Sequence, residues 1–215
     1  MPPPPPNHYF DESPESRSDE RTIEVVLPDI SFSMRTDHGV FSHGRLDTGT
    51  AILLRGAPPP PEVGTFVDLG CGAGPIALTL ALRAPMASVL AVDVNSRARS
   101  LCRDNAARLG LKHVTVAHPD EVPVDLAVDL IWSNPPIRVG KSALHAILGA
   151  WLGRLSARGS AVLVVQRNLG ADSLERWLAS NGHATQRLAA RAGYRLFECR
   201  PVQPANDRSD FEHSS

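Results

Sequence analysis

The stretch Val67-Asp68-Leu69-Gly70-Cys71-Gly72-Ala73-Gly74-Pro75-Ile76 limits what this chain can fold into more than any other. A β-branched and apolar run ends in an acid, glycine then recurs at alternate positions, and a helical apolar pattern begins. That is a strand, a tight turn and a helix N-terminus in direct succession. The turn lets a ligand approach the backbone closely, and the helix start offers N–H groups that lack intrahelical partners. The spacing is D-x-G-x-G-x-G. It differs from the dinucleotide pattern G-x-G-x-x-G, whose third glycine falls one place later.

From Thr65 onward strand and helix signals alternate. Strands are expected at 66–69, 88–93, 114–117, 128–133 and 161–165, and helices at 75–83, 96–109, 141–155 and 172–179. Such alternation calls for a parallel sheet with helices on both faces. Two last strands, 185–189 and 194–199, are joined by the short turn Ala192-Gly193, so one of them must run antiparallel. Upstream, Ile23, Val25 and Leu27 alternate with polar residues, Pro28-Asp29 makes a turn, and Ile30, Phe32 and Met34 alternate again, which predicts a hairpin. Residues 37–50 are rich in turn formers. They lead to a short helix near 51–54 and a stiff linker, Pro58–Pro61.

The organisation follows. Residues 1–21 carry five consecutive prolines and a polar mix that cannot bury enough apolar surface to fold, so this is a largely disordered tail. Within it, His8-Tyr9-Phe10 brings two adjacent aromatics. Residues 22–61 form the hairpin and a cap segment, 62–200 the α/β domain, and 201–215 a flexible tail. The net charge of −1 excludes a globally basic nucleic-acid binder while leaving room for a local basic patch. There is no apolar run long enough to span a bilayer and no signal-peptide pattern. Cys71, Cys102 and Cys199 are an odd, widely spaced set without metal-ligand spacing, which predicts thiols in a reducing cytoplasm and no metal site.

Two further features carry chemistry. Asp93 ends the strand after the glycine turn, about twenty residues on, where an acid can accept hydrogen bonds from a ribose. The competing role is an N-cap for the next helix, for which Asn95 and Ser96 are also available. The second feature is Asn134-Pro135-Pro136-Ile137, at the end of a strand expected beside the glycine-loop strand. Two prolines hold the backbone extended and remove two donors. The Asn134 side-chain oxygen and the Pro135 carbonyl then form a rigid row of acceptors suited to a planar –NH2 group. Two hydrogen bonds to such an amine pull its lone pair out of conjugation, so the gain is positioning and electrostatics without a covalent intermediate.

Together, Asp68–Gly74, Asp93 and Asn134–Ile137 resemble a class I S-adenosylmethionine-dependent methyltransferase. More narrowly, Gly39-Val40-Phe41-Ser42 and Asp47-Thr48-Gly49-Thr50 resemble the methyltransferase small domain family, which includes bacterial ribosomal-RNA guanine-N2 methyltransferases. The similarity runs from about His8 to Cys199. It implies a Rossmann-like α/β fold: a seven-stranded, mostly parallel sheet in the order 3-2-1-4-5-7-6, strand 7 antiparallel, with an N-terminal β-hairpin extension. It implies S-adenosylmethionine as cofactor, S-adenosylhomocysteine as product, and 62–200 as the catalytic domain. Gly70, Cys71, Gly72 and Gly74 would let the backbone approach the methionine part, with Asp68 near its amino group. Asp93 and Val94 would hold the ribose side and Asp120 the adenine. Asn134, Pro135, Pro136 and Ile137 would hold the target amine, and Phe41, Asp47 and Thr48 would close the site over the cofactor.

The sequence departs from the family in three respects. Many nucleic-acid-acting relatives stack a flipped base on an aromatic after N-P-P, and here that position is Ile137. The acid after the third strand is replaced by the run Ala117-His118-Pro119-Asp120, in which Asp120 is the candidate. The larger relatives carry an extra N-terminal domain, which this sequence is expected to lack. Arg45, Arg138, Lys141 and Arg167 are candidate RNA contacts around the mouth; a lysine at a helix start opposes the helix dipole and so hints at a use. His38 and His43 are available as bases, although a preoriented amine attacking a cationic methyl donor needs none. The leading expectation is a cytoplasmic enzyme acting on an exocyclic nitrogen, guanine N2 of ribosomal RNA or a ribosomal particle. Adenine N6, a protein glutamine amide, a non-catalytic RNA-binding module and a nicotinamide-dependent dehydrogenase are the alternatives.

Overall fold

The computed structural model describes residues 19–37, 40, 44–136 and 139–202. β1 (Arg21–Val26) and β2 (Ser31–Thr36) form the expected hairpin, with Ile23 opposite Met34 and Val25 opposite Phe32. Strand periodicity decides its inward face: Val25, Phe32 and Met34 are buried, while Glu24, Ser31 and Ser33 face solvent. α1 (Thr48–Gly56) begins earlier than its apolar pattern predicts, because Asp47 caps it by accepting from Thr50 N–H at 2.9 Å. Such a cap contributes about 1 kcal/mol.

Arg83, the last residue of α2 (Pro75–Arg83), fastens the hairpin and α1 to the body. Its guanidinium forks onto both carboxylate oxygens of Asp29 at 2.7 and 2.8 Å and donates to the Leu54 carbonyl at 2.9 Å. A second fastening comes from Asn105 in α3 (Ser96–Arg108), which is buried. Its side-chain oxygen accepts from Arg35 N–H at 2.8 Å, and its amide donates to the Arg35 and Ala73 carbonyls, both at 2.9 Å. One side chain thus ties the hairpin to the loop between β3 (Thr65–Leu69) and α2.

The main sheet has seven strands in the order β5-β4-β3-β6-β7-β9-β8. β3, β4 (Ser88–Val92), β5 (Val114–Ala117), β6 (Val128–Ser133) and β7 (Leu155–Gln166) are parallel. β9 (Tyr194–Pro201) runs antiparallel to both β7 and β8 (His183–Arg191). Counting sheet strands alone, this is 3-2-1-4-5-7-6, as the resemblance implied. The chain winds outward from β3 to β5 and then returns to the opposite side of β3 as β6. A crevice therefore opens between the carboxyl ends of β3 and β6, where open α/β sheets bind ligands.

The pleat sorts side chains into two cores. Phe66, Leu130, Trp132, Val162 and Val164 pack with α1, α2 and α3. Val67, Leu69, Ile131, Leu163 and Val165 pack with α4 (Lys141–Leu152) and α5 (Ala171–Ser180). Two boundaries differ from the sequence reading: α4 ends at Leu152, and β7 begins at Leu155 instead of Ala161. The first half of β7, Leu155-Ser156-Ala157-Arg158-Gly159, holds no β-branched or aromatic residue to signal a strand. It pairs through an irregularity in which Val128 opposes Leu155 while Leu130 opposes Ser160.

Candidate active site

The glycine loop leaves β3 and is stapled across the end of β4, with Gly70 and Cys71 N–H groups both donating to the Val92 carbonyl at 2.8 and 2.9 Å. Gly70 takes φ +80°, which only glycine adopts without strain, so the chain can turn here with no side chain over the crevice. The next strand end supplies Asp93, whose carboxylate is almost wholly buried. One oxygen accepts from Gly72 N–H and the other from Asn95 N–H, each at 2.9 Å. The helix cap belongs to Asn95, which accepts from Ala98 N–H at 3.0 Å. Asp93 is thus released from capping and held facing the crevice. Burial raises its pKa, opposed by the two backbone bonds and by Arg99.

Asp68 sits beneath the loop, fully buried. One oxygen accepts from Ala77 N–H at 2.9 Å, and the other has no hydrogen-bond partner among the described residues. Burial, and then the neighbouring Asp93 charge, push its pKa up to about 8.

β6 closes the crevice on the far side. Ser133 donates to the Leu69 carbonyl at 2.6 Å and locks the ends of β6 and β3 together. Asn134 follows. Its amide donates to Asp47 Oδ2 at 2.7 Å and to Thr50 Oγ1 at 3.1 Å. A carboxylate can only accept, so this pairing dictates which way the amide faces: both of its hydrogens are used and Oδ1 is left to accept. Gly49 is packed between these groups. A Cβ there would lie 2.9 Å from the Tyr194 ring, 3.0 Å from Asp47 Oδ2 and 3.2 Å from Asn134 Nδ2. Tyr194 opens β9 and completes this wall; burial and then the Asp47 charge raise its pKa, so at neutral pH its hydroxyl keeps its proton.

One cavity of about 860 Å³ lies between these elements, ample for a nucleoside-bearing cofactor together with an acceptor; Gly49, Ser133 and Asp68 stand behind its lining, so Asp68 does not reach the cofactor side, contrary to expectation. Gly70, Cys71, Gly72, Asp93, Val94 and Asp120 form the wall under the glycine loop and across β4 and β5. Asn134, Pro135, Pro136, Asp47 and Arg45 form the opposite wall. The fit to an adenosyl cofactor rests on three observations. At Gly70 and Gly72 the loop presents backbone alone to the crevice, an almost buried carboxylate stands at the end of β4, where a ribose is expected, and Asp120 stands exposed at the rim. Covalent catalysis by cysteine has no support, since hydrogen bonding to Cys102 and burial hold the Cys71 thiol well above its ordinary pKa. Among the described residues no group of three or more His, Cys, Asp or Glu side chains could hold a metal.

Some expected site residues lie elsewhere. Gly74 turns away from the cavity toward α3, where a Cβ would meet Cys102 Sγ at 2.6 Å, so its glycine is required by helix packing. Thr48 is exposed in the first turn of α1, and Lys141 is exposed at the first position of α4; neither lines the cavity. Arg167 lies just outside it, in the turn after β7. Phe41, Ile137, Arg138, His38, His43 and the tail with Tyr9 and Phe10 fall outside the described residues. Thr50 and Tyr194 are site residues that sequence reasoning missed. The Asp-x-Gly-Thr spacing could have found Thr50; nothing local marks Tyr194.

The chain is similar in sequence and fold to known proteins. The family model described as methyltransferase small domain matches residues 31–198. An uncharacterised Bacillus subtilis protein, YbxB, is 33% identical over 91% of this chain and 98% of its own length. Ribosomal RNA small subunit methyltransferase C of Stutzerimonas stutzeri is 36% identical over 82% of this chain and 53% of its own length. The solved Thermus thermophilus 16S rRNA N2 G1207 methyltransferase, in complex with AdoMet and guanosine, is similar in fold. Its TM-score is 0.70 at 24% identity, over 85% of this chain and 50% of that one. The chain spans about half the length of each of these two methyltransferases.

Proposed function

The chain belongs to the methyltransferase small domain family, and from that premise we propose that it methylates an exocyclic amino nitrogen, the N2 of guanine in ribosomal RNA. It is a class I S-adenosylmethionine-dependent methyltransferase. The observation that carries the amine reading is the Asn134 amide, held by Asp47 and Thr50 so that its oxygen is left to accept. When bound, S-adenosylmethionine supplies a methyl group on a positively charged sulfur, which leaves as a neutral thioether.

The chain's own residues do the rest. Asn134 Oδ1 and the Pro135 carbonyl accept the two hydrogens of the acceptor –NH2. This turns the nitrogen lone pair out of the ring's conjugation and aims it into the cavity. The amine gains one N–C bond and loses one proton to solvent. Gly70 and Gly72 keep side chains out of the methionine site, and Asp93 takes the ribose hydroxyls. Asp47 acts through Asn134, as a positioning residue. Residues 22–61 serve as a cap over the catalytic domain of 62–200.

Guanine is preferred over adenine or a glutamine amide because two named relatives are ribosomal RNA methyltransferases and one is described with guanosine. Ribosomal RNA as substrate implies the cytoplasm. Nucleoside mass mapping of ribosomal RNA from cells with and without the gene tests the reading. Loss of an N2-methylguanosine is expected. Loss of N6-methyladenosine, or of a methylated glutamine in protein, overturns it.

A further inference from the structure

Beside the active cavity lies a second concavity of about 340 Å³ that the mechanism does not use. It lies between the β8–β9 hairpin tip and the turn that follows β7. Four arginines line it almost wholly through their apolar stems, Arg167, Arg187, Arg191 and Arg195, with only Ala190, Ala192, Gly193 and Tyr194 between them. In a chain of net charge −1 this is a marked local concentration of one sign. The four are not equivalent. Arg187 is paired with Glu175 at 2.7 Å, and Arg195 with Asp172 and with Glu175, both acids on α5. Arg167 and Arg191 are exposed and have no acidic partner among the described residues.

Position gives the groove its meaning. Tyr194 lines both the active cavity and this concavity, so the two share a wall. Gln166 and Leu169 line the cavity while Arg167, between them in sequence, lines the groove. The Arg167 N–H donates to the Gly193 carbonyl at 2.7 Å, which fixes the turn against the hairpin tip. A strand that left the cavity on the Tyr194 side would meet the two exposed guanidiniums of Arg167 and Arg191 at the edge of this concavity.

We propose that this groove binds the phosphodiester backbone of a polynucleotide next to the methylated residue, with Arg167 and Arg191 as the phosphate contacts. The inference rests on the nucleobase reading of the active site and deepens it: the substrate is a base within a strand, and a free nucleoside would leave the groove unused. The chemistry matches. Guanidinium forks suit phosphate oxygens, and the small residues of the hairpin tip let a backbone come close. Arg187 and Arg195, already offset by α5, shape the groove and add little net charge.

The test measures binding of a short single-stranded RNA to the full chain across a salt series, for wild type and for Arg167→Ala/Arg191→Ala, alongside calorimetric titration with S-adenosylhomocysteine. The double variant is expected to bind the RNA at least about tenfold more weakly. The slope of log affinity against log salt should shrink by about one per arginine removed. S-adenosylhomocysteine affinity should stay unchanged, and Arg167→Lys/Arg191→Lys should retain most of the slope. If wild type binds the RNA and the alanine variant matches it in affinity and slope, the groove inference fails while the active-site reading stands. If wild type binds no RNA and methylates a protein instead, both fail.

Discussion

Replacing Asp47 by alanine separates a positioning role from a cofactor-binding one. The carboxylate makes two bonds from one oxygen, to Thr50 N–H at 2.9 Å and to the Asn134 amide at 2.7 Å. Loss of the first removes the α1 cap, at about 1 kcal/mol, and should lower Tm by about 2–4 °C in a chain of this size. Loss of the second removes a charge-assisted bond of about 1.5–3 kcal/mol and frees the Asn134 amide to rotate. If that energy serves to orient Oδ1, it appears in the barrier, and each 1.4 kcal/mol is about tenfold. The expected fall in kcat for Asp47→Ala is therefore about tenfold to 10²-fold, and no larger than for Asn134→Ala. S-adenosylhomocysteine affinity should hold within about twofold. Asp47→Asn supplies the control, since asparagine caps helices as well as aspartate and still offers an oxygen; stability should recover fully and rate in part. Single-turnover methyl transfer, calorimetric titration and thermal unfolding are the measurements. An unchanged kcat with a tenfold weaker cofactor would refute the positioning argument and make Asp47 part of the cofactor wall.

Three other outcomes are expected. Asp93→Ala should weaken S-adenosylhomocysteine by about 1–3 kcal/mol in calorimetry, because a charged acceptor is lost; an unaltered Kd would leave Asp93 with no more than its bonds to the glycine loop. Asn105→Ala should cost about 2–3 kcal/mol in urea unfolding, since it strands the Arg35 N–H and two carbonyls where the hairpin meets the glycine loop; a cost under about 0.5 kcal/mol would show that the hairpin is held by its apolar face alone. Asp68 has a folded-state pKa raised to about 8 from an ordinary 3.8, so the native state holds a proton that the unfolded chain has lost. Its contribution to stability is complete below about pH 4 and is lost as pH rises through about 8. Asp68→Asn should flatten that decline in urea midpoints measured from pH 4 to 9, and parallel wild-type and variant curves would contradict the assignment.

Much of this architecture was legible because it depends on neighbours in sequence. The glycine loop, the strand and helix periods and the Pro28-Asp29 turn are local patterns, and local physics decides them. The resemblance carried the sheet order correctly, and the final hairpin made its antiparallel strand necessary. Asn134 and Asp93 could be read as candidate site residues because each follows the carboxyl end of a strand that flanks the glycine-loop strand. Where strand-forming residues were absent the reading ran short: Leu155–Gly159 has no β-branched or aromatic residue, so the first half of β7 carries no signal.

What only tertiary structure decided are pairings between distant residues. Asp47 meets Asn134 across 87 positions, Asn105 joins Arg35 to the glycine loop across 70, and Tyr194 reaches the active wall from the last strand. Gly74 looks like a loop glycine in sequence, yet the nearby Cys102 makes it a packing glycine. The physical reason is common to all four. A hydrogen bond or a steric limit between remote residues exists only once the fold has brought them within about 3 Å, and no periodicity of the chain encodes that distance. The sequence by itself determined which residue types stand at the ends of which strands. The way the cap, the glycine loop and the last strand close around the Asn134 oxygen was decided by the fold.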